Sequence, residues 1–279
     1  QAQVPEGVRW IAPERGTVPA GVFRHPAFAD LEPELLALCE QPDWPAVERL
    51  NTLWPARPDA EPRRFVDQAT LDDGLHYEMR IAGSGVIATR RDNWHDLFNA
   101  MVWLRNPDIK AALNRRQVED IRRVGTRQRT RAQSALTHFD EAGAVLRLAD
   151  DAMLSFWDAH DWPAFFGAWD AACRDGNVQL WLFGHSIHEH ALNPAIALVA
   201  KALVIDSPLP LNGHEMDTAI AQAIAAKCCL NDPQELRPIP LAGIPGWHPE
   251  HGSVDFFTRV PSFRPKRDGK SYPQPLKMR

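Results

Sequence analysis

The sequence lacks three features that would each point to a particular class of protein. It has four cysteines and no Cys-x-x-Cys pair, so a secreted disulfide framework is excluded and reduced thiols in a cytoplasmic protein are predicted. No apolar run approaches the roughly 18 residues that cross a bilayer, so no membrane partner is expected. Neither GxxxxGK[ST] nor GxGxxG occurs, so nothing indicates a nucleotide-binding fold.

An excess of positive charge is also missing. Lys and Arg number 31 against 36 Asp and Glu, which gives a net charge of −5. Because general binders of polyanions are usually basic, this balance does not favour nucleic acid as the partner. The hydrophobic share of 44% and the charged share of 24% are typical of a globular chain. A chain of 279 residues can bury a large core.

Proline is abundant, with 24 residues, and it is concentrated at the two ends. The pattern predicts a single domain over residues 1–279, in which Pro-rich arms (1–62 and 238–279) flank a central body (76–230). The first arm should hold two short helices, Leu31–Glu40 and Trp44–Leu53. Four aromatic side chains are expected to anchor the second arm to the body: Trp247, Phe256, Phe257 and Phe263.

The central body is predicted to be α+β, because hairpins and helices follow one another without strict alternation. One hairpin is predicted from His76–Ile81 and Gly85–Thr89, and another from Ala135–Asp140 and Ala144–Leu148. Two further strands are predicted at Val178–Phe183 and Lys201–Ile205. Helices are predicted at Trp94–Arg105, Pro107–Val118, Asp150–His160, Trp162–Cys173, His185–Leu192 and Glu215–Cys229.

The densest polar stretch runs from Arg90 to Asn99, where a strand leads into a helix. His95 and Asn99 are four residues apart and share one helix face. Histidine can move a proton near neutral pH, Asp96 can orient it, and Arg90 can bind a carboxylate or phosphate. The alternative is structural, with Asp96 in a capping box and His95 in the core.

A second polar stretch, Phe183 to His190, ends one strand and begins a helix. His185, His188 and Glu189 have a spacing compatible with a metal site, but the order is not HExxH. A structural helix start is an equally good interpretation, so no metal ligand is assigned and the cofactor stays unknown.

Two other stretches have both a functional and a structural interpretation. His138 and Asp140 would share one face of a strand, although the interpretation in which Asp140 and Glu141 open a turn is favoured. Seven arginines, with few acidic residues between them, form the best candidate for a nucleic-acid or acidic-partner surface; an exposed helix face and loop is the simpler interpretation. They are Arg115, Arg116, Arg122, Arg123, Arg127, Arg129 and Arg131.

Several motifs resemble a bacterial family catalogued as domain of unknown function 3025. They are Trp94-His95-Asp96-Leu97-Phe98-Asn99-Ala100, Lys110 with Leu113-Asn114, Ala135-Leu136-Thr137 with Phe139-Asp140-Glu141-Ala142-Gly143, Gly184-His185 with Glu189, Leu241 to Trp247, and Phe263-Arg264-Pro265. The resemblance implies no reaction, but it selects candidates that fall on motif positions: His95, Asp96, Asn99, Asn114, Asp140, His185, Glu189 and Arg264. His138, His188 and His190 do not fall on such positions.

These observations lead to the hypothesis of a hydrolase-like enzyme that acts on a small polar or anionic substrate. His95 or His185 is the expected general base, and Asp96 or Asp140 is expected to assist it. The residues expected to bind substrate are Arg90, Asn99, Asn114, Glu189 and Arg264. The side chains of His95 and His185 should come within about 10 Å of each other at a shared cleft. A non-catalytic protein that binds through its Arg115–Arg131 face, and a purely structural role for all these motifs, remain the alternatives.

Overall fold

Helices and strands follow one another irregularly along the chain. The structure is a computed structural model that describes residues 11–56, 61–193, 196–253 and 255–277. The first ten residues of the N-terminal arm, and residues 57–60 near its end, lie outside this description.

The described residues contain twelve α-helices, and none of these is long and apolar enough to cross a membrane. They are α1 (Pro33–Glu40), α2 (Val47–Asn51), α3 (Tyr77–Ser84), α4 (Trp94–Arg105), α5 (Pro107–Val124), α6 (Arg131–Ala142), α7 (Asp151–Ala159), α8 (Trp162–Gly167), α9 (Trp169–Arg174), α10 (His185–His190), α11 (Gly213–Ala225) and α12 (Phe256–Arg259).

Seven strands of the described residues form two sheets. They are β1 (Arg64–Asp67), β2 (Val86–Thr89), β3 (Gly143–Leu148), β4 (Val178–Leu182), β5 (Val199–Asp206), β6 (Arg237–Pro240) and β7 (Leu276–Lys277). Strands β1 and β2 pair in parallel. The larger sheet has the order β4-β3-β5-β6, in which β3 is antiparallel to β4 and parallel to β5. Strand β6 is antiparallel to β5, and the short β7 also pairs with β5.

Apolar clusters cover both faces of the larger sheet. Ala144 and Leu146 of β3 belong to one cluster, with side chains from α1, α4, α7, α8 and α10. Val145 belongs to the other cluster, with side chains from α5, α6 and α11. Because successive residues of a strand point to opposite faces, a strand covered on both sides is continuously apolar. The predicted α+β class is confirmed.

Neither predicted hairpin is correct. Residues 77–84 form helix α3, with His76 as its N-cap and Gly85 at its C-cap with φ of +68°. Strand β2 follows, and its partner is the earlier strand β1 in parallel pairing. Residues 131–142 form helix α6, which begins at a capping box between Thr130 and Gln133. Short apolar runs fit a strand or a helix equally well. Both segments form helices because each begins at an N-cap that satisfies the first backbone N–H groups of a helix.

Both Pro-rich arms pack onto the body. Helix α1 matches the predicted Leu31–Glu40 closely, whereas α2 covers only part of the predicted Trp44–Leu53. In the C-terminal arm, Phe256 and Phe263 are buried in the first apolar cluster, and Trp247 and Phe257 pack against it. The predicted aromatic anchors of this arm are therefore confirmed.

The connection from β4 to α10 passes very close to the connection from α6 to β3. The backbone N–H of Gly184 donates to the carbonyl of Gly143 at 2.8 Å. A Cβ atom at Gly184 would lie 2.5 Å from backbone atoms of Glu141, Ala142 and Gly143. Only glycine permits this approach, which holds the start of α10 against the end of α6.

Candidate active site

The start of helix α4 determines the direction of its polar side chains. The Asn93 side chain accepts a hydrogen bond from the backbone N–H of Asp96 at 3.0 Å, as an N-cap does,. The Asp96 carboxylate does not complete a capping box. It accepts instead from the backbone N–H of Arg90 at 2.6 Å and from the Arg90 guanidinium at 2.7 Å. Asp96 therefore fixes Arg90 and the strand-to-helix turn and is not bonded to His95.

His95 contacts Glu189 with one ring nitrogen and His185 with the other. Its Nδ1 lies 2.9 Å from Glu189 Oε2, and its Nε2 lies 3.1 Å from His185 Nε2. The hydrogen bond to Glu189 raises the pKa of His95, although partial burial opposes this. Burial lowers the pKa of His185 to about 3. The predicted approach of the two histidines to within about 10 Å is thus confirmed.

Glu141, the penultimate residue of α6, faces the same two histidines. Its Oε2 lies 3.5 Å from His185 Nε2, and it accepts a hydrogen bond from the Ser186 hydroxyl. His185 is only 3% exposed. The close approach at Gly184 brings α6 and α10 together and thereby places Glu141 beside His185.

Lys110 of α5 joins two predicted site residues. Its Nζ donates to Asp140 Oδ1 at 2.6 Å and to Asn99 Oδ1 at 2.8 Å. The Asn99 amide in turn donates to the Tyr77 hydroxyl at 3.1 Å. Burial alone would raise the pKa of Asp140, but the charge and hydrogen bond of Lys110, together with the nearby His185 and His95, outweigh burial and hold the pKa below its usual value.

Glu78 of α3 also has a shifted pKa, which lies near neutral pH. Burial raises its pKa to about 7, and the Asp140 charge adds to the rise, whereas Asn114 and Lys110 oppose it. Asn114 donates to Glu78 Oε2 at 2.6 Å and to the Glu78 backbone carbonyl at 2.9 Å. Asn114 thus positions a carboxyl group.

These side chains surround a cavity of about 310 Å³ between α3, α4, α6 and α10. Its wall carries four carboxyl groups, from Glu78, Asp96, Asp140 and Glu141, against one guanidinium, from Arg90. Since Asp96 already engages Arg90, the cavity is suited to neutral or positively charged groups more than to anions. A volume of this size accommodates a small molecule.

The structure brings most of the predicted site residues together. His95, Asp96, Asn99, Asp140, His185 and Arg90 line the cavity. Glu189 and Asn114 lie behind it and hold His95 and Glu78. Arg264 lies apart: its side chain is exposed, and its backbone carbonyl accepts a hydrogen bond from the Trp162 indole at 2.9 Å.

Two histidines from the polar stretches also point elsewhere. His188 is fully buried, stacks on Phe98 at 5.8 Å, and contacts the carbonyl of Gly184 through Nδ1. His138 is exposed on α6. Residues two apart point in nearly opposite directions on a helix, so the predicted shared face of His138 and Asp140 is wrong.

Four residues of the site were not assigned a role by sequence reasoning: Tyr77, Glu78, Lys110 and Glu141. Lys110 and Glu141 lie within the family motifs, and these motif positions are the sequence signal that could have identified them as site residues. Tyr77 and Glu78 were placed in a hairpin strand. A helix over 77–84 was needed to place Glu78 beside Asn114, and the His76 N-cap was the local sign of that helix.

We expect Glu78→Gln to gain stability relative to the wild type as the pH rises. The folded-state pKa of about 7 lies above the ordinary value of 4.5. The folded chain therefore binds more protons in this window, and the free energy of unfolding of the wild type falls as the pH rises through it. Glu78→Gln has no titrating group at this position, so its free energy of unfolding lacks this decrease.

Urea unfolding of both proteins at about pH 5 and about pH 8 measures the difference. The free energy of unfolding of Glu78→Gln relative to the wild type should increase by about 2–3 kcal/mol between these conditions. A difference that is the same at both pH values would contradict a raised pKa at Glu78.

The fold and the cavity together define an α+β protein with a polar internal site built around two histidines. The chain belongs to the family described as Protein of unknown function (DUF3025), which matches residues 63–267. The matched region includes every residue that lines the cavity. Comparisons with curated proteins and with solved structures gave no significant match.

Proposed function

We propose that the protein is an enzyme that hydrolyses a small polar substrate in this cavity, with water activated beside His95 and His185. The observation that carries the proposal is the pair of imidazoles, with Nε2 atoms 3.1 Å apart at the cavity wall. Glu189 holds the outer nitrogen of His95 at 2.9 Å. A carboxylate in this position fixes the ring orientation and stabilises the imidazolium that forms when the other nitrogen accepts a proton.

Each step of a hydrolysis has a suitable group in the cavity. His95 takes the proton from the attacking water. Glu78, whose pKa is about 7, can donate a proton to the leaving group because both its forms are populated near neutral pH. Lys110 and Asp140 hold each other and Asn99 in fixed positions, so Asn99 and Asp140 offer ordered polar atoms to a substrate.

The excess of carboxyl groups selects the substrate class within this proposal. Of the four carboxyl groups that line the wall, Asp96 is paired with Arg90 and Asp140 with Lys110, which leaves Glu78 and Glu141 in excess. An anionic substrate would meet repulsion that a neutral or cationic one would not. The proposal therefore narrows the predicted polar or anionic substrate to neutral and cationic polar molecules.

We expect hydrolysis of p-nitrophenyl acetate and lysine p-nitroanilide to exceed that of p-nitrophenyl phosphate. His95→Asn should lower kcat/KM by about 10²–10⁴-fold, the usual contribution of a positioned acid–base group. Arg127→Gln is the control, because Arg127 is exposed and does not line the cavity.

The proposal would be contradicted in two ways. One is the absence of hydrolysis above the uncatalysed rate across this panel. The other is an equal effect of His95→Asn and Arg127→Gln, which would place the activity outside the cavity.

The arginine face has less support as a binding surface. Arg116 is buried and donates to the carbonyl of Cys229 at 2.6 Å. Arg123 pairs with Asp120, and Arg131 pairs with Asp232. Arg129 donates to the Thr137 hydroxyl. More than half of the seven arginines are therefore engaged within the chain itself, which weakens the alternative of a nucleic-acid binder.

A further inference from the structure

Three side chains from three different helices point their ligand atoms at one place in the cavity wall. They are His95 of α4, His185 of α10 and Glu141 of α6, and their nearest nitrogen and oxygen atoms all lie within 4.8 Å of one another. All three residues line the cavity. Two imidazoles and one carboxylate with an open side are the donor set of catalytic zinc sites and of related transition-metal sites.

Two of the three distances within this group are close to those around a tetrahedral metal ion, and the third is no longer than 4.8 Å. Zinc binds imidazole nitrogen and carboxylate oxygen at about 2.0–2.2 Å, so neighbouring ligands of a tetrahedron lie roughly 3.3–3.5 Å apart. The distance between His95 Nε2 and His185 Nε2 is 3.1 Å, and that between His185 Nε2 and Glu141 Oε2 is 3.5 Å. An ion bound among these atoms would draw the Glu141 carboxylate and the His95 ring to within one tetrahedral edge of each other.

The surroundings of the group have the second layer that metal ligands usually have. His95 contacts Glu189 through Nδ1 at 2.9 Å, which leaves Nε2 to face the other two ligands. Such a carboxylate behind a histidine fixes the ring and strengthens the ligand. Ser186 donates to Glu141 and restrains its carboxylate. The close backbone approach at Gly184 fixes α10 against α6. The contacts of Glu141 and His185 are therefore held by two packed helices and do not depend on a mobile loop.

The charges also fit a divalent cation at this place. Asp96 is paired with Arg90, and Asp140 is paired with Lys110. Glu141 and Glu189 are the carboxylates that remain beside the two histidines. Their two negative charges would balance a doubly charged ion.

We propose that His95, His185 and Glu141 bind one divalent transition-metal ion such as Zn²⁺, with the open coordination position toward the cavity. Only the catalytic consequence of this inference rests on the proposed function. A water bound to the metal would then be the nucleophile, in place of a water activated by His95, and Glu78 would keep its role as proton donor. The binding of the ion itself rests on the ligand geometry alone.

The test is titration of the chelator-treated full chain with Zn²⁺ by calorimetry and with Co²⁺ by visible absorption. We expect one ion per chain, with Co²⁺ absorption of the intensity that four- or five-coordinate sites give, and no competition from Mg²⁺, which prefers oxygen ligands. Glu141→Gln and His185→Asn should each weaken binding at least tenfold, and Glu189→Gln by about 10–100-fold.

His138→Gln is the matched control, because His138 lies on the same helix as Glu141 but is exposed and away from the cavity. Its affinity should equal that of the wild type. Glu141→Gln is the decisive variant, since Glu141 is half-buried and its thermal unfolding without metal should match the wild type. No binding of Zn²⁺ or Co²⁺, or binding insensitive to Glu141→Gln and His185→Asn, would overturn the proposal.

The two proposals fail separately. Metal-independent hydrolysis that is lost in His95→Asn would support the proposed hydrolase and contradict the proposed metal site. Tight binding of Zn²⁺ at the three ligands, without hydrolysis of any probe, would support the proposed metal site and contradict the proposed hydrolase.

Discussion

Phe98→Ala is expected to lower the free energy of unfolding by about 3–5 kcal/mol. Phe98 is fully buried and stacks on Trp94 at 5.7 Å and on Phe28 at 5.9 Å. Its third stacking partner, His188, lies 5.8 Å away. Truncation would leave a cavity among rigid rings that cannot collapse to fill it, so the loss should lie near the upper end for such changes. Urea unfolding monitored by tryptophan fluorescence measures it.

His95→Asn is the matched comparison about one turn earlier on the same helix. His95 borders the cavity, and its contacts are hydrogen bonds with Glu189 and His185. Loss of such contacts beside a polar cavity should cost about 0.5–1.5 kcal/mol. A loss for His95→Asn as large as that for Phe98→Ala would show that the histidine maintains the fold, and the enzyme proposal would lose its main support.

Helix α4 was predicted correctly because its signals are local. Asn93 is a good N-cap, the apolar residues recur at helical spacing, and Asn106-Pro107 ends the helix,. The hairpins failed where the local signals were ambiguous. Ala135, Leu136 and Phe139 fit a short strand by composition, whereas the capping box of Thr130 and Gln133 just before them starts a helix, α6.

The site was predicted only in part, because its assembly depends on tertiary contacts. His95 and His185 were expected together since both stand where a strand leads into a helix and both fall on family motifs. The role of Glu141 depended on α6 being a helix. The raised pKa of Glu78 comes from burial, which the sequence does not display. The pairing of Lys110 with Asp140 joins two helices through the fold.

Lys110→Met is expected to be the second most damaging substitution, with a loss of about 3–5 kcal/mol at neutral pH. The Lys110 side chain is only 4% exposed, and its ammonium lies 2.6 Å from Asp140. It also lies over the Trp103 ring at 5.3 Å. Methionine keeps the volume and the apolar contacts, so the loss would come from leaving the Asp140 carboxylate without its counter-charge.

Two controls separate this cause from a packing defect. In Lys110→Met combined with Asp140→Asn, no charge remains uncompensated, so the double variant should recover most of the lost stability. The pH dependence gives the second control. Lys110 holds the pKa of Asp140 below its usual value, so the stability contributed by the pair is present above the unfolded pKa of about 3.9 and is lost as the pH falls through the folded value.

In Lys110→Met, burial should instead raise the pKa of Asp140, and protonation should then relieve the unpaired charge in acid. The stability gap between the wild type and Lys110→Met should therefore narrow as the pH falls from about 7 toward about 4. Urea unfolding of the wild type and Lys110→Met at both pH values measures this gap. A gap that does not change with pH, together with no recovery in the double variant, would mean that Lys110 acts through its packing and that Asp140 is not the charge it compensates.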